Sequence, residues 1–370
     1  MTTPLLQLLD HGQSLWLDYI DRGMLLDGAF ETLVEEGVRG VTSNPTIFFK
    51  AITRGSAYDD AVRDLVQGDP GIDGERLYHW LMVQDVQMAA DVLRPVYDQT
   101  EGSDGYVSLE VSPHLAYDTD ATVERAHHIW LQVDRPNLMI KVPATREGLP
   151  AIERLIGEGI NVNATLLFSV PRYRAVAEAY ARGLALCADP ARVASVASFF
   201  VSRIDRKIDA LLDAIGSAEA GHLRGRIATA SAKVAYQAFK ESLDAPPFAE
   251  RRRHGAHPQR PLWASTSTKD PAYTDLLYVE GLIGSQTVTT VPPETLDALM
   301  GHGEVYATLE EEVDRAYDDL DALGPLGIDL DRVTAELEDE GVEKFQESHD
   351  QLVAALERKR DDVAKTFAES

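Results

Sequence analysis

The sequence predicts an α/β fold, a (βα)8 barrel of the TIM type with additional helices at its C-terminal end. Short runs of apolar and β-branched residues alternate with longer amphipathic helical patterns, which is typical of parallel βα units. Eight such runs can be counted, and eight strands are what this barrel requires. No run is followed by a G-x-G-x-x-G or G-x-x-x-x-G-K-[ST] motif, so the sequence does not support a dinucleotide-binding or P-loop domain.

Each predicted strand is a short apolar run that ends in turn or polar residues. The predicted strands are residues 15–18, 38–43, 106–110, 138–142, 161–167, 193–200, 261–265 and 286–289. The helical patterns between them include residues 75–93, 119–133, 149–158, 171–186 and 228–243. A chain of 370 residues can bury the core of one large barrel, and we expect a single domain over residues 1–370.

Two segments lie outside this alternation. Residues 241–259 contain a Pro-Pro pair and the basic cluster RRRH at 251–254; short charge runs are usually solvated, so we predict an exposed loop insertion. Residues 301–370 are highly charged but carry apolar side chains at helical spacing, which predicts a C-terminal helical segment packed on the barrel. Those side chains are Val333, Leu337, Val342, Phe345, Leu352 and Leu356.

The charge balance limits the partners that the chain can have. There are 61 acidic and 35 basic residues, giving a formal charge of −26 and a pI near 4.7. Such a field repels nucleic acid and anionic lipid, so we expect neither nucleic acid nor membrane as a partner. A phosphorylated substrate would require a local positive pocket. Oligomeric state is left open, and a homo-oligomer is compatible with the sequence.

The cysteine count and the start of the chain favour a cytoplasmic protein. Cys187 is the only cysteine, so no disulfide can form within the chain, and a reducing compartment is the simplest interpretation. The first residues lack a basic region followed by a long apolar run. None of the ten histidines belongs to a metal-spaced pair, and we expect no metal and no cofactor.

Lys141 lies in an unusual setting, inside the apolar run of residues 137–145 (NLMIKVPAT). Burial favours the neutral form of an amine, and a neutral amine is the nucleophile that a Schiff-base mechanism needs. Only nine lysines occur in the chain. The alternative is a lysine whose stem packs in the core while its ammonium reaches solvent.

Other polar residues follow the predicted strands, at the end where active sites of such barrels lie. In chain order they are Asp18, Thr42, Asn44, Glu110, Lys141, Asn163, Thr165, Ser198, Arg203, Ser265 and Lys269. Lysine and carboxylates suit cleavage of a C–C bond through an iminium ion. Amides and hydroxyls can hold sugar hydroxyls, and an arginine or lysine can hold a phosphate.

Each of these residues also has a purely structural alternative. Asp18 could cap the following helix, and Asn44-Pro45 could be only a turn. Glu110 could pair with a neighbouring cation, and Arg203 could lie on a helix surface. For the fifth strand, alternation would point Asn161, Asn163 and Thr165 to one face. If that face is the barrel interior, packing alone does not explain three polar side chains there. Individually the signals are weak, and their combination favours a site.

Four blocks resemble the transaldolases, class I Schiff-base enzymes with a (βα)8 barrel. They are residues 40–49 (GVTSNPTIFF), 138–145 (LMIKVPAT) with Gly148, 160–169 (INVNATLLFS) and 198–203 (SFFVSR). The first two are similar to the two signatures of that family, and the matching region runs from about Asp18 to Thr289. The chain length and the acidic C-terminal part are similar to the longer bacterial members.

The resemblance implies a role for each matching residue. Lys141 would form the imine, Asp18 would be the base for the substrate C4 hydroxyl, and Glu110 would act with a water positioned by Thr165. The three-carbon unit would contact Thr42, Asn44 and Asn163, with Ser198 beside them, and Arg203 would bind phosphate. Ser265, at the end of the seventh strand, is also expected to bind substrate.

One departure concerns the second phosphate-binding arginine, which shorter members place after the seventh strand. Here the segment 264–271 reads ASTSTKDP, so serine occupies that position at Ser267. We expect Lys269 to supply the missing charge, as a looser contact than an arginine fork.

The resemblance implies transfer of a dihydroxyacetone unit from sedoheptulose 7-phosphate to glyceraldehyde 3-phosphate in the pentose phosphate pathway. Two alternatives are a fructose 6-phosphate aldolase-like lyase on the same scaffold and a non-catalytic barrel that binds sugar phosphates. The glutamate at 110 favours transfer over the lyase, which has a glutamine and a tyrosine in its site.

Overall fold

The protein is a closed eight-stranded parallel barrel, seen in a computed structural model that describes residues 3–54 and 56–368. Each strand pairs with the next in chain order, and the eighth closes on the first. The strands are β1 Gln13–Leu17, β2 Gly40–Thr42, β3 Tyr106–Glu110, β4 Leu138–Pro143, β5 Val162–Leu167, β6 Ser195–Phe200, β7 Arg260–Ala264 and β8 Thr287–Val291. The predicted (βα)8 barrel is confirmed.

The helices surround the barrel, as the predicted alternation requires. They are α1 Pro4–Asp10, α2 Arg22–Leu26, α3 Ala29–Glu36, α4 Pro45–Arg54, α5 Asp59–Gly68, α6 Gly74–Gln99, α7 Thr119–Val133, α8 Gly148–Gly157, α9 Val170–Leu186, α10 Ser202–Ile215, α11 Ala218–Leu223, α12 Ile227–Asp244, α13 Pro246–Arg252, α14 Leu277–Glu280, α15 Pro293–His302, α16 Val313–Asp321 and α17 Leu330–Ala368. Short 3₁₀ helices occupy Pro113–Leu115 and Pro190–Arg192.

Local sequence signals explain where the barrel helices begin. Asp118 accepts a hydrogen bond from the amide of Ala121, and Ser169 accepts one from the amide of Arg172, so each caps the helix that follows it. The five predicted helices begin within one residue of the observed starts. Nearly every strand residue is buried, because helices cover the outside of the barrel and side chains fill its interior.

The prediction of a loop at residues 241–259 was wrong for most of that segment. Residues 241–244 continue α12, and Pro246 begins α13, since a proline is well suited to the first turn of a helix. Phe248 holds α13 in place because it is buried and its ring lies 6.3 Å from that of Tyr180. The basic side chains of Arg252 and Arg253 are exposed, as predicted.

The C-terminal segment forms α16 and the 39-residue helix α17. Helix α17 packs against α4, α5, α6 and α10 and against the 3₁₀ turn Pro113–Leu115, so it lies across the carboxyl end of the barrel. Its apolar face, predicted from the spacing, is buried. Among residues 3–54 and 56–368, no helix has both the length and the apolarity to cross a membrane.

Candidate active site

Lys141 lies inside the barrel, on β4, and only 5% of its surface is exposed. The strand register places it beside Glu110 of β3 and Asn163 of β5. Its amine Nζ donates a hydrogen bond to the carbonyl oxygen of Ser43, 3.2 Å away, and lies 3.6 Å from Oε2 of Glu110. The amine is thus directed into the barrel and does not reach bulk solvent through a snorkelling stem.

Glu110 is a buried carboxylate that forms an ion pair with the Lys141 amine but has no hydrogen-bond partner in the described part of the chain. Among the described residues, neither of its oxygens accepts a hydrogen bond, and the hydroxyl of Thr165 also has no partner. Burial raises the pKa of Glu110 to about 6, although the neighbouring Lys141 opposes the shift. A carboxylate and a hydroxyl that lack hydrogen-bond partners are groups that a bound water or substrate could satisfy.

Asp18 follows the last residue of β1 and faces the same cavity as Lys141. The hydroxyl of Thr42 donates a hydrogen bond of 2.7 Å to Oδ1 of Asp18. The capping alternative for Asp18 is wrong, because Asp21 accepts the amide hydrogen bonds at the start of α2. Asp18 is therefore a half-buried carboxylate that the helix start does not require.

The side-chain amides of Asn44 and Asn163 make different hydrogen bonds. Asn44 accepts a hydrogen bond from the amide of Ile47 at the start of α4, yet it also lines the cavity. Asn163 donates to the hydroxyl of Ser108 at 3.1 Å and accepts from the hydroxyl of Ser198 at 2.7 Å. This buried network across β3, β5 and β6 fixes the orientation of the Asn163 amide.

Arg203 is the second residue of α10 and provides a positive charge at the cavity. Its guanidinium carbon lies 5.2 Å from the centre of the Phe200 ring. Ser202 and Ser265 are hydrogen-bonded through their hydroxyls at 2.9 Å, and Ser265 lines the cavity. The structure does not bring Lys269 to this cavity, because its side chain is exposed and its amine bonds to the hydroxyl of Ser267.

The cavity at the carboxyl ends of the strands has a volume of about 90 Å³. Eight of the eleven predicted site residues line it directly, and Glu110 and Asn163 contact those that do. The other lining residues were not predicted; they are Phe200, Leu262, Ala264, Thr290 and Phe345. Alternation along β6, β7 and β8 could have indicated the first four, whereas no sequence signal placed Phe345 there.

A larger cavity, of about 560 Å³, lies between α9, α12 and α13. Its charged side chains include Arg174, Arg182 and Glu241, and both arginines are ion-paired with glutamates. None of the predicted site residues lines it. The smaller cavity is therefore the candidate active site, since it is lined by an amine, a carboxylate and a guanidinium, and the second carboxylate, Glu110, is paired with the amine.

The sequence was compared with those of known proteins. A family model described as transaldolase/fructose-6-phosphate aldolase matches residues 15–356. A transaldolase of Thiobacillus denitrificans is 49% identical over 350 residues, covering 93% of this chain and 97% of the relative. A transaldolase of Thermobifida fusca is 48% identical over 359 residues, covering 95% and 97% respectively. The matched region includes every candidate residue from Asp18 to Lys269, and also Phe345.

Proposed function

The chain belongs to the transaldolase/fructose-6-phosphate aldolase family, and we propose that it is a transaldolase that works through a Schiff base on Lys141. It moves a dihydroxyacetone unit from sedoheptulose 7-phosphate to glyceraldehyde 3-phosphate, in the pentose phosphate pathway of the cytoplasm. The products are erythrose 4-phosphate and fructose 6-phosphate. The observation that supports this most is the buried amine of Lys141, 3.6 Å from the Glu110 carboxylate and in one cavity with Asp18.

The first stage joins the substrate ketone to Lys141. The amine adds to the carbonyl carbon to give a carbinolamine, which loses water to form a protonated imine. Glu110 lies close enough to take a proton from the attacking nitrogen and to return one to the departing hydroxyl. The unpaired hydroxyl of Thr165 could position the water through which these protons move.

The second stage breaks and remakes a C–C bond. Asp18 takes the proton of the C4 hydroxyl, the C3–C4 bond breaks, and its electrons flow into the protonated imine to leave an enamine on Lys141. After the first aldehyde leaves, the enamine carbon attacks the acceptor aldehyde, and Asp18 returns the proton. Water then adds to the imine carbon, Glu110 moves the protons as in the first stage, and the C–N bond breaks to release fructose 6-phosphate and free Lys141. The hydrogen bond from Thr42 holds the Asp18 carboxylate in place for both transfers.

Substrate binding follows from the remaining polar groups. Asn44, Asn163 and Ser198 present amides and a hydroxyl to the hydroxyls of the three-carbon unit. Arg203 holds the phosphate at the cavity mouth through a charge-assisted contact. Its positive charge provides the local attraction that a protein of charge −26 needs for a phosphorylated substrate.

The second candidate is a lyase that releases free dihydroxyacetone, because the matching family model covers both activities by its description. The buried glutamate at 110 distinguishes this site from the lyase site expected to carry glutamine. Measuring dihydroxyacetone release without an acceptor, against transfer with one, separates the two functions.

Borohydride trapping tests the proposal directly. With sedoheptulose 7-phosphate and borohydride, we expect one covalent three-carbon adduct, located on Lys141 by peptide mapping. Lys141→Met should abolish both adduct and transfer while the melting temperature changes by only a few degrees. An unmodified Lys141, or a variant that loses its fold, would instead indicate a structural lysine in a non-catalytic barrel.

A further inference from the structure

Helix α17 contributes part of the wall of the active-site cavity. The ring of Phe345 lines the cavity, and its centre lies 5.7 Å from Nζ of Lys141 and 5.8 Å from the guanidinium carbon of Arg203. One turn earlier, a Cβ added to Gly341 would lie 3.6 Å from Nη1 of Arg203 and 3.1 Å from Leu166. The helix therefore approaches the reacting amine and the phosphate site at the same place.

Polar contacts from several sides of the barrel hold α17 there. Arg172 of α9 pairs with Glu338 at 3.0 Å, and both side chains are largely buried. On another side, His349 bonds to Oε1 of Glu75 on α6 at 2.8 Å. Lys207 of α10 pairs with Glu336 at 2.9 Å. Such anchoring on α6, α9 and α10 fixes the position of Phe345 over the amine.

The inference rests on the proposed transaldolase function, because it concerns an intermediate of that reaction that forms beside Phe345. After C–C cleavage, Lys141 carries a three-carbon enamine with two fates. In transfer, its nucleophilic carbon attacks the acceptor aldehyde. In release, that carbon takes a proton, water adds to the imine carbon and loses a proton, and the C–N bond breaks. Release therefore yields dihydroxyacetone and free Lys141. Both fates end in hydrolysis of an imine, and they differ in whether the enamine carbon takes a proton or attacks the aldehyde.

We propose that Phe345 is a specificity-determining residue, which favours transfer over release by keeping water from the nucleophilic carbon of the enamine, so that this carbon is not protonated before it meets the acceptor aldehyde. Only 4% of the Phe345 surface is exposed. Its ring forms part of the wall of the active-site cavity, beside Lys141. Exclusion of water from a reactive intermediate is a known contribution of a closed active site. Here the excluding group comes from outside the barrel.

The test compares release with transfer in the wild-type enzyme and in Phe345→Ala. Dihydroxyacetone release is measured without an acceptor, and fructose 6-phosphate formation is measured with glyceraldehyde 3-phosphate. Removing the ring opens space for water beside Lys141, so the ratio of release to transfer should rise by about tenfold or more. Phe345→Leu, which keeps an apolar side chain, should restore most of the original ratio.

Leu352→Ala is the matched control, because Leu352 is fully buried on the same helix but does not line the cavity. It loosens the packing of α17 and should leave the ratio unchanged. An equal rise in Leu352→Ala would overturn the proposal, as would a Phe345→Ala enzyme in which both rates fall in parallel. Borohydride trapping on wild-type Lys141 keeps the two questions apart: a wild-type enzyme without an adduct removes the proposed function itself.

Discussion

At the residue scale, the buried position of Glu110 has a measurable consequence for pH dependence. Its pKa is raised to about 6, so the carboxylate is mostly protonated at pH 5 and mostly ionised at pH 7. Only the ionised form accepts a proton from the attacking amine. Imine formation should therefore fall as the pH drops through about 6.

The matched variant for that prediction is Glu110→Gln, which keeps the shape but cannot titrate. It should be slower by roughly 10²–10⁴-fold, and its rate should show no acid limb near pH 6. Stopped-flow measurement of imine formation between pH 5 and 8 provides the check. If the limb persists in Glu110→Gln, it belongs to another group.

Arg203 and Lys269 differ in position and should therefore differ in effect. Arg203 lines the cavity, whereas Lys269 is exposed and bonded to Ser267. Arg203→Ala should raise KM for phosphorylated substrates by about 10–100-fold, since a charge-assisted contact contributes roughly 1.5–3 kcal/mol. Lys269→Ala should change KM by less than about threefold, as expected for an exposed charge. A large effect of Lys269→Ala would show that the loop closes on substrate.

Residue positions on the strands were predictable, because alternation with a period of two fixes which side chains enter a barrel. This holds for Glu110, Lys141 and Asn163, all of them buried. The position of Lys269 was not predictable in this way. It follows Ser265, whose φ of 56° lies in the left-handed region, and such a turn redirects the chain in a manner that periodicity does not encode.

At the element scale, the junction between α10 and α12 depends on a buried acid. Asp205 accepts a hydrogen bond of 2.7 Å from the amide of Ala228, at the start of α12, and one of 3.0 Å from the hydroxyl of Tyr278. Burial raises the pKa of Asp205 to about 7. The native state thus holds a proton that the unfolded chain, with an ordinary aspartate, releases near pH 4.

Because the native pKa is the higher one, the contribution of Asp205 to stability is greatest below pH 4 and is lost as the pH rises through 7. Asp205→Asn removes that loss. Its free energy of unfolding relative to wild type should therefore increase from pH 4 to pH 8, by as much as roughly 4 kcal/mol. Urea unfolding at several pH values measures this, and a constant difference would contradict it.

At this scale, the presence of the helices was predictable, but the surfaces against which they pack were not. The spacing of Val342, Phe345 and Leu352 revealed an apolar face on α17. Periodicity states which face is buried and gives no information about the surface that covers it. The same limit applies to α13. The sequence predicts a loop there from the Pro-Pro pair, and only the structure shows that Phe248 packs against Tyr180 and holds a helix in place.

At the scale of the whole molecule, the two ends of the barrel have different tasks. The carboxyl end holds Lys141 and the unpaired groups of the active site, whereas the amino end holds a compact polar network around Asp104. That carboxylate accepts hydrogen bonds from the hydroxyl of Ser14, from Nε1 of Trp16 at 3.0 Å and from Arg260 at 3.3 Å. The network joins β1 and β7 to the loop before β3.

Barrel closure itself was predictable from eight strand runs, but the network around Asp104 was not, because its members are distant in sequence.

This division predicts that stability and catalysis can be changed separately. Asp104→Ala removes the acceptor of the Trp16 indole N–H and leaves the Arg260 charge with the Ser14 hydroxyl but without its carboxylate, which should reduce the free energy of unfolding by about 3–5 kcal/mol. Because the amino end of such a barrel contributes to stability rather than to chemistry, transfer at 25 °C should stay within about twofold of wild type while the enzyme remains folded. Urea unfolding and a steady-state transfer assay on the same preparation test both parts. A fall in the turnover rate with unchanged stability would show that the two ends are coupled through the strands.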